Sequence, residues 1–371
     1  MDFNGLVELM VNKKASDLFI TAGAAPSLKI NGIIKPISRK KLTGKHAREM
    51  VLGVMTPAQR GEFSRTNECN FAISLTGIGR FRVSAFIQRD AAGMVLRRIE
   101  TNIPSIEELD MPPIIKSLAM TVRGIVFFVG ATGTGKSTSL AAMIDYRNQN
   151  GSGHIISIED PIEFIHQHAG CIITQREVGL DTESYGVALK NTLRQAPDVI
   201  MIGEIRTRET MEHAITFAET GHLCLTTLHA NNANQALDRM INFFPEDRRA
   251  QLLMDLSLNL RGIIAQQLIQ KADGKGRQAV SEVLLNTPLV SDLIRKGAVD
   301  KLKDRMKQST EQGMVTFDQA LCQQYKKGNI TYEDALLHAD STNEVRLMIK
   351  LDRTAGLDRF ASDMDTVGAV N

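Results

Sequence analysis

The sequence predicts an α/β protein: a small α+β unit first, then a sheet of parallel strands covered by helices on both faces, then a charged helical region. Three observations carry this reading. From Gly124 onward, short Val/Ile-rich runs alternate with helix-forming segments, the pattern of a parallel sheet. Gly130-Ala131-Thr132-Gly133-Thr134-Gly135-Lys136-Ser137 follows the apolar run Gly124–Val129 and opens a helix-forming segment to Arg147, the context in which G-x-x-x-x-G-K-[ST] cradles phosphate. The first hundred residues instead show period-two alternation broken by hairpin signals.

Taken in order, the chain suggests a helix near Gly5–Lys13, strands at Asp17–Thr21, Ser27–Ile30 and Ile33–Ile37, a helix from Lys45, and then more strands. Asn31-Gly32, between two alternating runs, is the best hairpin signal. A second hairpin joins Cys69–Leu75 to Arg80–Gln88 through Gly77-Ile78-Gly79, and Met94–Ile99 adds a strand. Prolines at 104, 112 and 113 interrupt regular structure, so residues 1–102 read as the first domain and 103–123 as a linker. The core, 124–288, carries candidate strands Ile125–Val129, His154–Ile158, Val199–Ile202 and Leu223–Leu228. Residues 289–350 read as helical (Ser291–Lys296, Asp300–Gln308, Thr316–Lys327, Tyr332–His338), and 351–371 as a mobile tail.

Composition narrows the function classes. With 371 residues, 43% hydrophobic and 23% charged, the chain has room for two ordinary soluble domains. Its 44 basic and 42 acidic residues leave a net charge of +2, and it has no tryptophan and four tyrosines, so no basic patch interleaved with aromatics points to nucleic acid. The apolar runs fall far short of the roughly 20 residues a membrane span needs. The start, Met-Asp-Phe-Asn-Gly, lacks the features of a secretory signal, which points to the cytosol. Four scattered cysteines without a C-x-x-C pair argue against a disulfide framework and against zinc.

The candidate chemistry lies where strands end, because open α/β sheets bind ligands at their carboxyl edge. Gly130, Thr132, Gly133, Thr134, Gly135, Lys136, Ser137 and Thr138 form the nucleotide-binding set, with Lys136 reaching the β/γ-phosphates and Ser137 ligating Mg²⁺. Glu204, ending the run Asp198–Gly203, is the second metal-linked residue. Phosphoryl transfer to water needs charge neutralisation and an oriented nucleophile. Glu163 is favoured for polarising that water; Glu159 lies nearer its strand end, and the sequence does not choose between them. His222 and His229 sit at the two ends of one strand, about 23 Å apart and on opposite faces if it is regular. His229, at the carboxyl end, is the candidate γ-phosphate sensor, and His222 suits a sheet edge or subunit contact. Arg82 and Arg97 fall on strands that can pair, so both guanidinia can serve one rim in the manner of arginine fingers.

Together, Ser16-Asp17-Leu18, the Gly130–Ser137 loop, Ile158–Glu163, Gln175–Val178, Gly203–Arg206 and Glu219–Leu223 with Leu228-His229 resemble the secretion ATPases of type IV pili and type II secretion, over at least residues 15 to 340. The resemblance identifies a Walker A loop, an Asp box, an atypical Walker B and a His box. It implies a PAS-like N-terminal domain, a RecA-like ATPase domain and a homo-hexamer, with Glu163 catalytic, Glu204 metal-linked, and Arg82 and Arg97 lent to a neighbour's site. The missing C-x-x-C pairs and the short N-terminal region resemble the retraction branch, its PilT and PilU members. Leu289-Val290-Ser291-Asp292 departs from the PilT pattern A-I-R-N-L-I-R-E-G-K, and this, with the tail past Lys350, is more similar to PilU. The implied activity is Mg-dependent ATP hydrolysis powering or assisting pilus retraction, with a PilT-type ATPase and an inner-membrane platform protein as partners, at the inner face of the cytoplasmic membrane of a Gram-negative bacterium. An ATP-binding accessory subunit and a DNA-translocating ring are the alternatives.

Overall fold

The computed structural model describes residues 2–30, 32–99 and 102–351. They fall into two units, one running to Asn102 and including Ile162–Ile165, the other comprising Ile103–Pro161 and the described residues from His166 onward.

In the first unit, Asp2 caps α1 (Phe3–Asn12), which buries Leu6, Val7 and Met10 at helical spacing. β1 (Asp17–Thr21), β2 (Ser27–Ile30) and β3 (Ile33–Pro36) precede α2 (Gly44–Gly53) and α3 (Pro57–Thr66); β4 (Glu68–Leu75), β5 (Gly79–Gln88) and β6 (Ala91–Ile99) follow. The strands form one sheet in the order β3-β2-β1-β6-β5-β4. Ile30 pairs directly with Ile33, so the β2–β3 connection is a two-residue turn. Gly32 there has φ +81°, while Asn31 lies outside the described residues.

Two features differ from expectation. β6 starts three residues before Met94, because Arg89 and Asp90 make the turn with φ of +46° and +60° and no glycine stands at either position to mark it. Helix α3 was not foreseen: Thr56 and Gln59 close a capping box and Pro57 takes a first-turn position, but Phe63 alone is buried, so no apolar stripe marks it.

The second unit begins with α4 (Ile114–Ala119), followed by β7 (Gly124–Val129), α5 (Lys136–Asn150), β8 (Gly153–Glu159), β9 (Cys171–Glu177), α6 (Tyr185–Thr192) and β10 (Val199–Ile202). Then come α7 (Arg208–Glu219), β11 (Leu223–Leu228), α8 (Ala233–Asn242), α9 (Glu246–Asn259), β12 (Leu260–Gln270) and β13 (Arg277–Leu285). The helical region holds α10 (Pro288–Arg295), α11 (Leu302–Lys307), α12 (Phe317–Lys326) and α13 (Tyr332–Leu337). Of residues 351–371, expected as a mobile tail, Leu351 is helical and 352–371 lie outside the described residues.

The sheet order is β13-β12-β7-β11-β10-β8-β9, parallel except for the β12–β13 pair. Along β7, Ile125, Phe127 and Val129 enter one core while Val126 and Phe128 enter the other, as a strand covered on both faces requires. Burying each Phe stabilises by roughly 1.5–3 kcal/mol. Residues 103–123, expected as a linker, supply Ile106, Met111, Ile115, Leu118 and Ala119 to that second core. Because β7, β11, β10 and β8 run the same way, their carboxyl ends share one edge of the sheet.

Candidate active site

The loop after β7 is shaped by close approach. A Cβ on Gly130 would lie 2.6 Å from the Gln266 carbonyl oxygen, and one on Gly135 would lie 2.9 Å from Gln266 Nε2. Gly135 also has φ +84°, which an L side chain rarely adopts, and this left-handed residue precedes α5 without a side-chain cap. Lys136, Ser137 and Thr138 therefore open the helix with backbone N–H groups directed to the loop, the arrangement that binds anions. The Lys136 ammonium is buried and donates to the carbonyls of Gly130 at 2.9 Å and Ala131 at 2.8 Å. Thr134 Oγ1 donates to Ala131 O at 2.9 Å.

Gln266, in the middle of β12, braces this turn. Its Oε1 accepts from Ser139 Oγ at 2.7 Å and its Nε2 donates to Thr134 O at 2.8 Å, with both side chains out of solvent. Sequence reasoning missed it, although an amide inside the apolar run Gly262-Ile-Ile-Ala265 and Leu268-Ile269 is a signal.

Beside the loop stands a linked trio. Val129 and Leu228 are register partners, so Gly130 and His229 leave their strands side by side. His229 Nε2 is 3.2 Å from Glu204 Oε1, and Glu204 Oε2 is 2.7 Å from the Arg206 guanidinium. That hydrogen bond raises the Arg206 pKa further. Thr227 Oγ1 donates to Gly203 O at 2.7 Å and Ile205 N to Thr227 O at 3.0 Å, fastening the Glu204 segment to β11. Burial first, then the Asp160 and Glu159 carboxylates, push the nearby Tyr185 phenol up and keep it protonated.

The structure separates the two carboxylates the sequence left open. Glu159 is buried, and its Oε1 accepts from Ser157 Oγ at 2.6 Å and Gln175 Nε2 at 3.2 Å. Glu163 is exposed and groups with the first unit rather than with the sheet that carries the loop. His222 does not join His229: it sits at the amino end of β11, where its Nδ1 lies 3.0 Å from Thr220 Oγ1 and 3.2 Å from Phe217 O.

Arg82 and Arg97 are register partners across β5 and β6 of the first unit. Arg97 Nε donates to Asp17 Oδ1 at 2.9 Å, and Ser16 Oγ donates to Asp17 Oδ2 at 2.8 Å. Asp17 is buried while the Arg97 side chain stays 70% exposed, so the carboxylate orients a cation that still faces solvent. Its role is written only in its place, an acid in a strand that pairs with an arginine-bearing one.

The donor set suits Mg²⁺. The Ser137 hydroxyl and Glu204 carboxylate are hard oxygen donors at the same sheet edge, and few protein ligands are the rule for an ion that also takes phosphate oxygens and water. All four cysteines are buried, and burial pushes the Cys69 thiol to about 11, helped by Glu62.

A phosphate loop leading into a helix, flanked on a parallel sheet by a strand-end acid and a histidine, is the architecture of RecA-like P-loop ATPases. The chain belongs to the type II/IV secretion system protein family, whose profile matches residues 2–346. It is 69% identical over 362 residues to the type IV pilus ATPase PilU of Pseudomonas aeruginosa, spanning 98% of this chain and 95% of that one. To the type IV pilus retraction ATPase PilT of the same organism it is 39% identical over 335 residues, 90% of this chain and 97% of the other. The crystal structure of the pilus retraction motor PilT with bound ADP matches with a TM-score of 0.87 at 37% identity, covering 93% of this chain and 98% of that one. Within the family the chain falls in the PilT/PilU branch, nearer PilU, and is an ATP hydrolase with the PAS-like, RecA-like and helical C-terminal arrangement expected from its sequence.

Proposed function

We propose that this chain is a hexameric, Mg-dependent ATPase that powers or assists type IV pilus retraction, beside a PilT-type ATPase and on an inner-membrane platform protein, at the cytoplasmic face of that membrane. The observation that carries the reading is the Glu204–His229 contact of 3.2 Å next to the phosphate loop. Among the described residues no helix is long and apolar enough to cross a membrane.

Lys136 exchanges its two loop carbonyls for β- and γ-phosphate oxygens, while the N–H groups of Gly133, Gly135 and the first turn of α5 hold the polyphosphate. Ser137 and Glu204 would hold Mg²⁺, which would supply charge neutralisation on the phosphates. Glu163 accepts the proton of the attacking water, because Glu159 is committed to Ser157 and Gln175. His229 reads the γ-phosphate and passes its state through Glu204 to Arg206. Arg82 and Arg97, the latter aimed by Asp17, act on a neighbouring subunit's phosphate, and His222 serves a subunit contact.

Phosphate release by the purified full chain, with Mg²⁺ and with or without a PilT-type ATPase, tests the proposal. Mg-dependent release that disappears in Lys136→Ala is expected. Folded protein that neither binds nor hydrolyses ATP, with or without that partner, refutes it.

A further inference from the structure

We propose that Glu282 is a positioning residue for hydrolysis that ties the His229 segment to the C-terminal helices, so that α8 and α12 respond together to the nucleotide. The proposal rests on the ATPase reading above.

Glu282 lies within β13 opposite Ala265 of β12 and is 2% exposed. A carboxylate inside a sheet is costly unless its oxygens are bonded. Here the two oxygens serve two different helices. Oε1 accepts from Ala233 N, the first residue of α8, at 2.8 Å, and Oε2 accepts from Phe317 N, the first residue of α12, at 3.3 Å. Both positive helix ends are thus directed at one carboxyl group.

Each helix already carries a side-chain cap at its third amide, and Glu282 takes the first amide of each. Asn232 caps α8 through Gln235 N, and Thr316 caps α12 in a full capping box with Gln319. What Glu282 adds is the connection between them. Ala233 follows His229 after Ala230-Asn231-Asn232, so the bonded amide lies one short turn from the proposed γ-phosphate sensor. A second tie runs the same way, from Asn234 Nδ2 to Val299 O at 2.9 Å.

The charged surroundings continue the link into the helical region. Lys303 lies 2.8 Å from Asp340 and 3.7 Å from Asp318, and both Lys303 and Asp340 act on Glu282. Burial is the main influence and raises the Glu282 carboxyl to about 7, against the lowering pull of the Ala233 and Phe317 amides. A buried acid kept at that cost, its two oxygens joining helices that are far apart in the chain, fits a coupling role.

The test uses the full chain, steady-state ATP hydrolysis, and hydrogen exchange with and without ADP. Wild type should bind ADP and show altered exchange at both residues 229–242 and residues 317–326. Glu282→Gln should keep KM and ADP affinity within about threefold, lower kcat by roughly tenfold, and retain the ADP response at 229–242 while losing it at 317–326. Ala233→Pro removes one of the two donors at a helix position that tolerates proline, and should act the same way if the Gln variant folds poorly. Unchanged kcat, or a surviving response at 317–326 in both variants, overturns the proposal. Wild type that does not bind ADP overturns the ATPase reading along with it; wild type that binds ADP but responds only at 229–242 overturns the coupling alone.

Discussion

Replacing Gln266 with Leu tests whether the phosphate loop is held from the neighbouring strand. Leucine keeps a similar volume in the core but removes both polar contacts, the 2.7 Å bond from Ser139 and the 2.8 Å bond to Thr134. Each bond contributes about 0.5–1.5 kcal/mol net, and a buried group left unsatisfied costs about 1–3 kcal/mol. Ser139 is 1% exposed, so its hydroxyl would be stranded. The expected loss is about 2–4 kcal/mol. Urea unfolding followed by far-UV circular dichroism reads it, since the chain has no tryptophan to report by fluorescence. A cycle with Ser139→Ala isolates the contact: the double variant should lose about 1–2 kcal/mol less than the sum of the singles. ADP affinity should fall as well, because Thr134 lies inside the loop. A loss under about 0.5 kcal/mol, or strict additivity, would refute the brace.

Four further outcomes are expected. His229→Ala should lower ATP hydrolysis more than His222→Ala, since Glu204 contacts the first and the second lies at the opposite sheet edge; equal losses with intact assembly would count against this geometry. Arg97→Ala and Lys136→Ala chains, each inactive alone, should regain phosphate release when mixed, and no recovery at any ratio would exclude shared sites. Asp17→Asn should weaken hydrolysis in the same direction as Arg97→Ala, read in the same assay. Glu282 sets a pH trend: its folded value is raised from 4.5 to about 7, so its contribution to stability is present below pH 4.5 and is lost as pH rises through about 7. Thermal melts should show wild type losing stability relative to Glu282→Gln across that window, and parallel curves would contradict it.

The parts of the site legible in the sequence were those at strand ends. The Gly130–Ser137 loop, Glu204 and His229 each follow an apolar run, and topology alone then brings them to one edge. Residues inside strands were not legible. Gln266 and Glu282 interrupt β12 and β13, which the sequence reading did not resolve as strands at all, and their partners lie more than a hundred residues away or on two helices at once. β9 also escaped, because its burial alternates only at Cys171 and Ile173 before turning polar. Helix α3 shows the reverse case, where capping chemistry defines an element that hydrophobic periodicity does not.

The cross-strand placement of Arg82 against Arg97 leaves two like charges facing each other on a sheet that supplies Asp17 to one of them. Such a pairing works against the isolated subunit by a few tenths of a kcal/mol or more. An incoming anion relieves the repulsion, so contact with a phosphate returns energy that folding alone had to withhold. In the hexamer proposed above, association around nucleotide should accordingly be favoured in dilute buffer and fade as added salt screens both the strain and its relief.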